Sequence, residues 1–380
     1  MSIEKPNLYI GIMSGTSVDG IDVVLTKIVN NNSQFIAGLS LPFNDSNRED
    51  ILKLCQSAHC DLKQLGQIEV KLARNYAQAV NQLILEQQIE RSQIRAIGCH
   101  GQTVLHHPFG QTPFSMQLVN ANVLAAETGV TCVTDFRGMD IAFQGQGAPL
   151  VPKFHQSLFK TPDNDASIVL LNLGGIANLS IITSTQLTGF DTGPSNILLD
   201  SWMQYKLSQP YDKNGELSAS GQVNQKLLAE LLSDVYFSLP APKSTGREYF
   251  NLTWLQAKLA QLEFIISDID IMATLVQLTA ISIANALAKH SSGTLYVFGG
   301  GTQNKHLMDS LSKLLPQWQV NTTESIGIES QYMEAMAFAW LGYRCIISQS
   351  GNSPSVTGAT QEVIMGQITQ AIGHKLILDE

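Results

Sequence analysis

Glycine, hydroxyl and carboxylate residues stand close together after the first apolar run of the chain, Leu8-Tyr9-Ile10. A second apolar run begins at Val23, so this segment reads as a strand, a tight turn and a strand. Such a turn lets backbone N–H groups converge on an anion, because glycine has no Cβ in the way and tolerates positive φ. The candidate phosphate-binding residues are Gly15, Thr16, Ser17, Val18, Asp19, Gly20, Ile21 and Asp22. Asp19 and Asp22 are also candidate ligands of a Mg²⁺ ion that accompanies phosphate, since Mg²⁺ binds carboxylate oxygens. The alternative is an ordinary hairpin that binds no phosphate.

The pattern of a strand, a glycine turn and a strand recurs at residues 168–182, IVLLNLGGIANLSII. This repeat predicts two similar halves that face a shared cleft. A third glycine turn, Gly299-Gly300-Gly301, follows a strand and precedes a helix, which lets the backbone approach adenine or phosphate closely. None of the three stretches fits the P-loop or the G-x-G-x-x-G dinucleotide pattern.

A short apolar strand ends in three polar candidates, His100, Gln102 and Thr103. An open α/β sheet builds its binding site beyond the carboxyl ends of its strands. We therefore expect these side chains to bind sugar hydroxyls or a carboxylate, with a purely structural turn as the alternative. The nearby His106 and His107 do not predict a metal site, because no carboxylate or cysteine joins them at ligand spacing.

Another buried strand ends in Asp135, Arg137 and Asp140. Arginine presents a planar fork that matches a carboxylate or a phosphate. We expect the three residues to contact substrate. An internal ion pair between Arg137 and Asp135 is the alternative.

Asp191 ends a strand beside Gly193 and Pro194, which leave the loop little freedom. A carboxylate held in this way can take a proton from water or a hydroxyl, so Asp191 is the candidate general base. The alternatives are a metal ligand, or an aspartate that only accepts hydrogen bonds from its own turn.

Size, composition and charge limit the function classes. The chain has 380 residues, with 44% hydrophobic and 14% charged residues, which predicts a folded protein of two domains. The net charge of −9 argues against a nucleic-acid partner. The most apolar helix candidate, residues 271–287, contains Gln277, Ser282 and Asn285, so we predict a core helix and no membrane partner.

The five cysteines form no C-x-x-C pair, so neither a disulfide framework nor a zinc site is predicted. The start of the chain has no basic segment followed by an apolar core and a cleavage site. Both features predict a cytoplasmic protein.

Seven motifs in this order resemble those of the anhydro-N-acetylmuramic acid kinase family: GTSVDGID, CHGQT, DFRGMD, NLGGIANLS, FDTGPSN, KSTGREYFN and FGGGTQN. The resemblance runs from about Tyr9 to Gly358. It implies an α/β protein of two similar domains with the actin-like ATPase (ribonuclease H-like) fold and a nucleotide cleft between them. The expected domains are residues 1–163 and 164–380, with the last residues packing back on the first domain.

The resemblance also implies the activity. The family uses ATP and Mg²⁺ to convert anhydro-N-acetylmuramic acid to N-acetylmuramic acid 6-phosphate in peptidoglycan recycling. Asp191 would activate a water that attacks C1 of the sugar, and the freed O6 would attack the γ-phosphate of ATP. The expected partners are the sugar, ATP and a second copy of the chain in a homodimer.

By resemblance, Gly174, Gly175 and Asn178 of the second hairpin face the phosphates, and Gly299, Gly300 and Gly301 face the adenosine. Glu334, in the stretch EAMAFAWL, lies close to the sugar in the family. Two positions depart from the wider pattern. Ile10-Gly11 stands where the superfamily has D-x-G, and Ser195 stands where the family has glycine.

Two other functions remain open at this point. One is an ordinary sugar-hydroxyl kinase in which Asp191 deprotonates the acceptor directly. The other is an actin-like or chaperone-like ATPase switch. The polar clusters at residues 100–103 and 135–140 argue against the switch, because a switch needs no sugar site.

Overall fold

The computed structural model describes residues 7–15, 18–56, 60–159 and 166–373. The chain divides into two compact units, the first comprising Met1–Lys160 and Tyr332–Glu380 and the second Thr161–Gln331. The boundary near residue 160 lies close to the predicted one. The segment from Tyr332 onward belongs to the first unit. The sequence-based expectation ended the second domain at residue 380 and had only its last residues pack back on the first domain.

The strands of the described residues form two main sheets and one small hairpin sheet. In chain order they are β1 (Leu8–Met13), β2 (Gly20–Val29), β3 (Asn32–Pro42), β4 (Ile94–Cys99), β5 (Gln102–His107), β6 (Phe114–Leu118), β7 (Cys132–Thr134), β8 (Ser167–Leu173), β9 (Ile176–Ile182), β10 (Leu187–Pro194), β11 (Gly293–Phe298), β12 (Trp318–Thr322) and β13 (Gln367–Thr369).

The α-helices pack on these sheets, and short 3₁₀ turns link several elements. The helices are α1 (Asp45–Gln56), α2 (Leu62–Glu86), α3 (Ala121–Thr128), α4 (Gly138–Ala142), α5 (Val151–Ser157), α6 (Asn196–Leu207), α7 (Glu216–Ser220), α8 (Gln225–Leu232), α9 (Val235–Ser238), α10 (Leu252–Leu259), α11 (Asp268–Leu287), α12 (Lys305–Leu314), α13 (Met333–Ile346) and α14 (Pro354–Thr357).

The two main sheets share one topology. In the first unit the order is β13-β7-β4-β1-β2-β3, and in the second it is β10-β9-β8-β11-β12. Each sheet has three consecutive antiparallel strands, and two parallel strands follow on the far side of the first of them. The α/β class and the repeat of strand, turn and strand predicted from the sequence are therefore confirmed.

Helix α13 lies directly on β1 and β4 because both strands carry glycine at the contact. A Cβ at Gly11 would lie 1.8 Å from the Ala335 carbonyl oxygen, and one at Gly98 would lie 2.0 Å from the Phe338 carbonyl oxygen. No side chain fits at these distances, so the backbones of helix and sheet touch. This contact explains Gly11 in the first strand, and it sets the position of Glu334 at the start of α13.

Gly98→Ala is expected to destabilise the protein by about 2–3 kcal/mol, because the new methyl group must push α13 off the sheet. Gly66→Ala is the matched control, since a Cβ at Gly66 in α2 meets nothing within 4 Å. That change is expected to stabilise by about 0.5–1 kcal/mol, since alanine loses less entropy than glycine in a helix. Urea unfolding of both variants measures the difference, and equal midpoints would refute the close contact.

Helix α11 passes through the core of the second unit. Within the described residues it is the one helix long and apolar enough to cross a membrane, and 61% of its most apolar window is buried inside the protein. Its buried residues, among them Met272, Leu275 and Ile283, belong to the main apolar cluster of this unit. The packing agrees with the predicted core helix.

Candidate active site

Backbone and side-chain hydrogen bonds close the turn of the first hairpin. The Val18 N–H donates to the Gly15 carbonyl at 3.1 Å, and Gln102 Nε2 donates to the same carbonyl at 3.2 Å. Gln102 is fully buried. Its amide therefore braces the predicted phosphate turn, whereas the sequence had placed it at the sugar. Thr16 and Ser17 lie outside the described residues.

The rest of the predicted phosphate segment enters β2. Gly20 begins the strand, and Val18 and Ile21 have buried side chains, with exposed fractions of 0% and 2%. Of these three residues only the backbone can therefore meet a phosphate. Val18 also has a φ of 57°, which a β-branched residue seldom adopts.

The two candidate metal ligands have different surroundings. The Asp19 side chain is 75% exposed, with Arg48 Nη2 at 4.0 Å. Asp22 is partly buried and accepts a hydrogen bond from Ser40 Oγ. Within the described part of the chain, no group of three or more His, Cys, Asp or Glu side chains forms a metal site.

Arg137 and His100 form a hydrogen-bonded pair at the ends of β7 and β4. Arg137 Nε and Nη2 lie 3.2 and 2.8 Å from His100 Nε2, and Arg137 Nη1 donates to the Gly147 carbonyl at 2.7 Å. Burial, and then the positive charge of Arg137, hold the pKa of His100 well below its ordinary value. The imidazole is therefore neutral and accepts at Nε2. Burial lowers the pKa of Arg137 to about 10, so the guanidinium stays charged at neutral pH.

Asp140 holds the loop that contacts Arg137. Its carboxylate accepts hydrogen bonds from Gly147 N–H at 2.8 Å, Asn352 Nδ2 at 2.8 Å and Thr357 Oγ1 at 2.7 Å. It is fully buried. Internal donors thus bind both oxygens, and Asp140 acts on Arg137 through the Gly147 loop and through its negative charge. The sequence predicted a direct contact of Asp140 with substrate.

Asp140→Asn is expected to cost about 2–3 kcal/mol of stability, because the new amide directs an N–H group at one of the existing donors. Asp61→Asn is the control. Asp61 caps α2 by accepting from the Lys63 N–H, and asparagine caps as well as aspartate, so no loss is expected. Thermal unfolding compares the two, and an equal stability in both variants would contradict the role given to Asp140.

Asp135 and Thr103 form hydrogen bonds with groups other than Arg137 and His100. Asp135 has a φ of 52°, and its carboxylate accepts from the Gly138 N–H and from Gln367 Nε2, each at 3.0 Å. Thr103 Oγ1 accepts from Gln117 Nε2 at 3.2 Å. Arg137 thus binds His100 and Gly147, and the alternative ion pair with Asp135 does not form.

Glu334 brings a second carboxylate to this region. Burial raises its pKa, the neighbouring Asp22 raises it further, and Arg137 opposes both. Asp22, Glu334 and Arg137 therefore form one electrostatic group, although they are far apart in the sequence. All three residues are candidates from the sequence, but no sequence pattern joins Asp22 to Glu334.

In the second unit the two glycine turns lie against each other. A Cβ at Gly301 would lie 2.6 Å from the Leu173 Cβ, and one at Gly299 would lie 2.5 Å from Asn172 Oδ1. Gly299 has a φ of 87°, which glycine tolerates. Two side chains stabilise the corner: Asn196 Nδ2 donates to the Leu173 carbonyl at 3.0 Å, and Thr302 Oγ1 donates to the Gly299 carbonyl at 2.8 Å.

The carbonyl groups of the second hairpin turn accept hydrogen bonds from the start of α6. The Gly174 carbonyl accepts from the Asn196 N–H at 3.1 Å, and the Gly175 carbonyl accepts from the Ser195 N–H at 2.9 Å. Gly175 is exposed, and Gly300 follows Gly299 in a 3₁₀ turn. Thus Gly174, Gly175 and Gly299–Gly301, which the sequence named separately, form one glycine-lined corner. Ser195 is buried, at 1% exposure, and its backbone supports that corner.

Strand register aligns Asp191 with two asparagines. Asp191 lies opposite Asn178, and Asn178 lies opposite Asn172 on the next strand. Directly opposed residues of antiparallel strands share a face of the sheet, so Asn172, Asn178 and Asp191 form a polar row. Asn172 was not singled out from the sequence, although the same alternation of the strand predicts it.

Backbone groups hold the Asp191 carboxylate. Asp191 Oδ2 accepts from the Thr245 N–H at 2.9 Å. Burial, and to a smaller extent the nearby Glu248, raise the pKa of Asp191 to about 6, although the Thr245 hydrogen bond opposes them. The carboxylate is therefore ionised at neutral pH yet more basic than an exposed aspartate, as a general base requires.

Two comparisons of sequence give one result. A family model described as anhydro-N-acetylmuramic acid kinase matches residues 7–371. A relative named anhydro-N-acetylmuramic acid kinase, from Pasteurella multocida (strain Pm70), is 48% identical over 369 residues, which cover 96% of this chain and 97% of the relative.

Solved structures are more distant. An activator of 2-hydroxyisocaproyl-CoA dehydratase from Clostridium difficile with bound ADPNP has 9% identity and a TM-score of 0.44, covering 88% of this chain and 94% of that one. A ROK family glucokinase from Streptomyces griseus in complex with glucose and AMPPNP has 13% identity and a TM-score of 0.40, covering 89% and 99% of the two chains.

Proposed function

The chain belongs to the anhydro-N-acetylmuramic acid kinase family, and from this premise we propose that it opens the 1,6-anhydro ring of anhydro-N-acetylmuramic acid with ATP. The products are N-acetylmuramic acid 6-phosphate and ADP, in peptidoglycan recycling. The observation that carries the proposal is the family match along nearly the whole chain. The buried Asp191 and the charged Arg137, which is hydrogen-bonded to the neutral His100, support it, because they supply a base and a cationic sugar site.

The base in this reaction is Asp191. It takes a proton from a water molecule whose oxygen attacks C1, the C1–O6 bond breaks, and the freed O6 attacks the γ-phosphorus of ATP. A base of this kind contributes about 10²–10⁴-fold to the rate. The raised pKa of about 6 supports this role, because the carboxylate accepts a proton more readily than an exposed aspartate does.

Arg137 is the cation of the sugar site. Its contacts with His100 and Gly147 fix the plane of the guanidinium. A fixed, charged fork suits the lactyl carboxylate of muramic acid. Thr103 and Asp135 are the candidates for binding the sugar hydroxyls. Glu334 interacts electrostatically with Arg137 and is a further acidic candidate for the sugar site.

ATP phosphates bind to main-chain N–H groups in this proposal. The candidates in the first turn are Gly15, Thr16 and Ser17. Those in the second hairpin are Gly174, Gly175 and Asn178. Gly299, Gly300 and Gly301 take the adenosine. Glycine at these positions allows close approach of the ligand to the backbone.

The carboxylates of the first unit suit Mg²⁺. Asp22 raises the pKa of Glu334 by like-charge repulsion, and a divalent cation would relieve it. Carboxylates bind through oxygen atoms, which are the ligands that Mg²⁺ prefers. We therefore propose Asp22 as the main protein ligand, with the exposed Asp19 as a second. Bound Mg²⁺ would neutralise charge on the phosphates.

The pH profile gives a direct test of the base. Because Asp191 must be ionised, kcat is expected to fall as the pH drops through about 6, the pKa of this carboxyl group. Rates measured between pH 4.5 and 8 check this. A profile that stays flat to below pH 5 would contradict the raised pKa.

ADP release tests the function as a whole. Purified protein with Mg-ATP is expected to form ADP only when anhydro-N-acetylmuramic acid is present. In H₂¹⁸O, the label is expected at C1 of the product. Unlabelled product would favour the sugar-hydroxyl kinase, and ADP release indifferent to sugar would favour the ATPase switch.

Location and assembly follow from the family and the cysteines. All five cysteines are free thiols, and Cys55 and Cys60 are exposed. Free exposed thiols support a reducing compartment, so we propose the cytoplasm. A homodimer is the proposed assembly, and light scattering of the purified protein tests it.

A further inference from the structure

A short segment lies along the free edge of the sheet that carries Asp191. Strand β10 is an edge strand, hydrogen-bonded to β9. Residues 243–245, here named the strap, run past this edge. The Asp191 N–H donates to the Lys243 carbonyl at 2.9 Å, and the Thr245 N–H donates to Asp191 Oδ2 at 2.9 Å. The strap therefore binds both the backbone and the carboxylate of the same residue.

Side chains fasten the first end of the strap to α9. Lys243 Nζ donates to the Tyr236 carbonyl at 2.8 Å and lies 4.5 Å from the centroid of the Tyr236 ring. The Tyr236 hydroxyl donates to the Asp191 carbonyl at 2.8 Å. Hydrogen bonds therefore link Asp191 to Lys243, Lys243 to Tyr236, and Tyr236 back to Asp191.

The other end of the strap is fixed by a turn. The Gly246 carbonyl accepts from the N–H groups of Tyr249 and Phe250 at 3.1 and 3.0 Å. Phe250 is fully buried in the core of the second unit. Lys243 and Tyr236 therefore hold the strap through side chains that a substitution can remove without disturbing the core turn.

We propose that Lys243 and Tyr236 are positioning residues, which hold the strap against Asp191 and so set the direction and burial of its carboxylate. The inference rests on the proposed function only for its kinetic consequence, since the geometry of the strap is independent of the substrate. A carboxylate aimed by fixed N–H donors loses less rate to misalignment than a mobile one.

The charged and titratable groups around Asp191 determine whether its pKa rises or falls when the strap loosens. Lys243 belongs to the strap, Tyr236 to α9, and Glu248 to the turn that follows the strap. Burial is the largest cause of the raised pKa of Asp191. The hydrogen bond from the Thr245 N–H opposes it, and Glu248 adds to it, so the loss of burial outweighs the loss of that hydrogen bond. Water admitted by a loosened strap would solvate the carboxylate, so its pKa would fall towards the ordinary value.

Lys243→Met is the first test, with Lys289→Met as the control. Lys289 is an exposed lysine of the same unit, after α11. In the Lys243 variant, kcat for anhydro-N-acetylmuramic acid is expected to fall about 10-fold, and the acid limb of the profile to move about one pH unit lower. The KM values for sugar and ATP are expected to stay within about twofold of wild type, since no substrate contact is lost. An acid limb that stays at the wild-type pH, or moves higher, would overturn the proposal.

Tyr236→Phe and Tyr249→Phe form a matched pair. Both lose a phenol hydrogen bond in one aromatic cluster, but the Tyr249 hydroxyl donates to Asp234 and only that of Tyr236 reaches Asp191. The first variant is expected to lose about fivefold in kcat and the second less than twofold, as one hydrogen bond is worth about 1 kcal/mol. Equal losses would assign the effect to general packing.

A titration separates this proposal from the proposed function. The carboxyl ¹³C signal of Asp191, assigned by its absence in Asp191→Asn, is followed with pH in the protein without substrates. A lower pKa in Lys243→Met than in wild type supports the strap, and an unchanged pKa overturns it. The pKa of Asp191 can be measured even if the wild-type protein shows no turnover with the sugar. Such a lack of turnover would contradict the proposed function but not the role of the strap.

Discussion

Asp191→Asn is expected to reduce sugar-dependent ADP formation about 10³-fold, because the amide cannot accept the proton that the attacking water must lose. The shape of the side chain is kept, and its Oδ1 can still accept the hydrogen bond from the Thr245 N–H. KM for ATP is therefore expected to stay within about twofold. Steady-state rates, together with the affinity for ATP measured by calorimetry, check both statements.

Asp212→Asn is the control for this loss. Asp212 is a buried aspartate of the second unit, and it accepts hydrogen bonds from the N–H groups of Leu217 and Ser218 at 2.9 and 3.0 Å. Its substitution is expected to lower stability but to leave kcat within about twofold. Comparable loss of kcat in both variants would mean that Asp191 supports the fold and is not the base.

The fold was predictable because its signals are local in the sequence. Apolar runs broken by glycine turns predicted the hairpins β1–β2 and β8–β9, and their recurrence predicted two similar sheets. Helix α3 begins after the N-cap Asn120 and ends at the C-cap Gly129, and both residue types favour these positions. Such signals depend on a few neighbouring residues, so a single sequence contains them.

Contacts between distant segments were not predictable. Asp191 and Thr245 are 54 residues apart, and no local pattern shows that the backbone of one segment will meet the side chain of another. Asp140 is similar, since its partner Asn352 lies 212 residues away. The sequence suggested Asp140 as a substrate ligand after a strand end, whereas the structure places it in α4 with internal donors on both carboxylate oxygens.

Exposure was equally hidden from the sequence. Gln102 stands two residues after His100 and resembles a sugar ligand, yet it is fully buried and donates to the first turn. A polar residue at a strand end can point into a site or into the core, and alternation alone does not decide which. The division of the chain shows the same limit. Only the last residues were expected to pack back on the first domain, but the whole segment from Tyr332 onward belongs to the first unit, and α13 of that segment contacts Gly11 and Gly98.

Arg137→Lys is expected to lower kcat/KM for anhydro-N-acetylmuramic acid about 100-fold, mainly through a higher KM for the sugar. Lysine keeps the charge but loses the planar fork, so it cannot donate to His100 Nε2 and the Gly147 carbonyl while it also meets a carboxylate. Losing one charge-assisted hydrogen bond costs about 1.5–3 kcal/mol, which corresponds to about 10- to 100-fold. Initial rates at varied sugar concentration measure the effect, and KM for ATP is the internal reference.

Arg344→Lys is the matched control, because Arg344 is another partly buried arginine of the first unit. Its Nε donates to the Ser350 carbonyl at 2.9 Å, and its guanidinium lies 5.3 Å from the centroid of the Trp340 ring. This change removes similar packing and hydrogen bonds but no group of the sugar site, so kcat/KM is expected to stay within about twofold. If Arg137→Lys lost thermal stability while its KM for the sugar stayed unchanged, Arg137 would serve only to join His100 to Gly147. The lactyl carboxylate would then need another cation, and His100 could not supply it, because burial and Arg137 hold the pKa of that imidazole well below neutral pH.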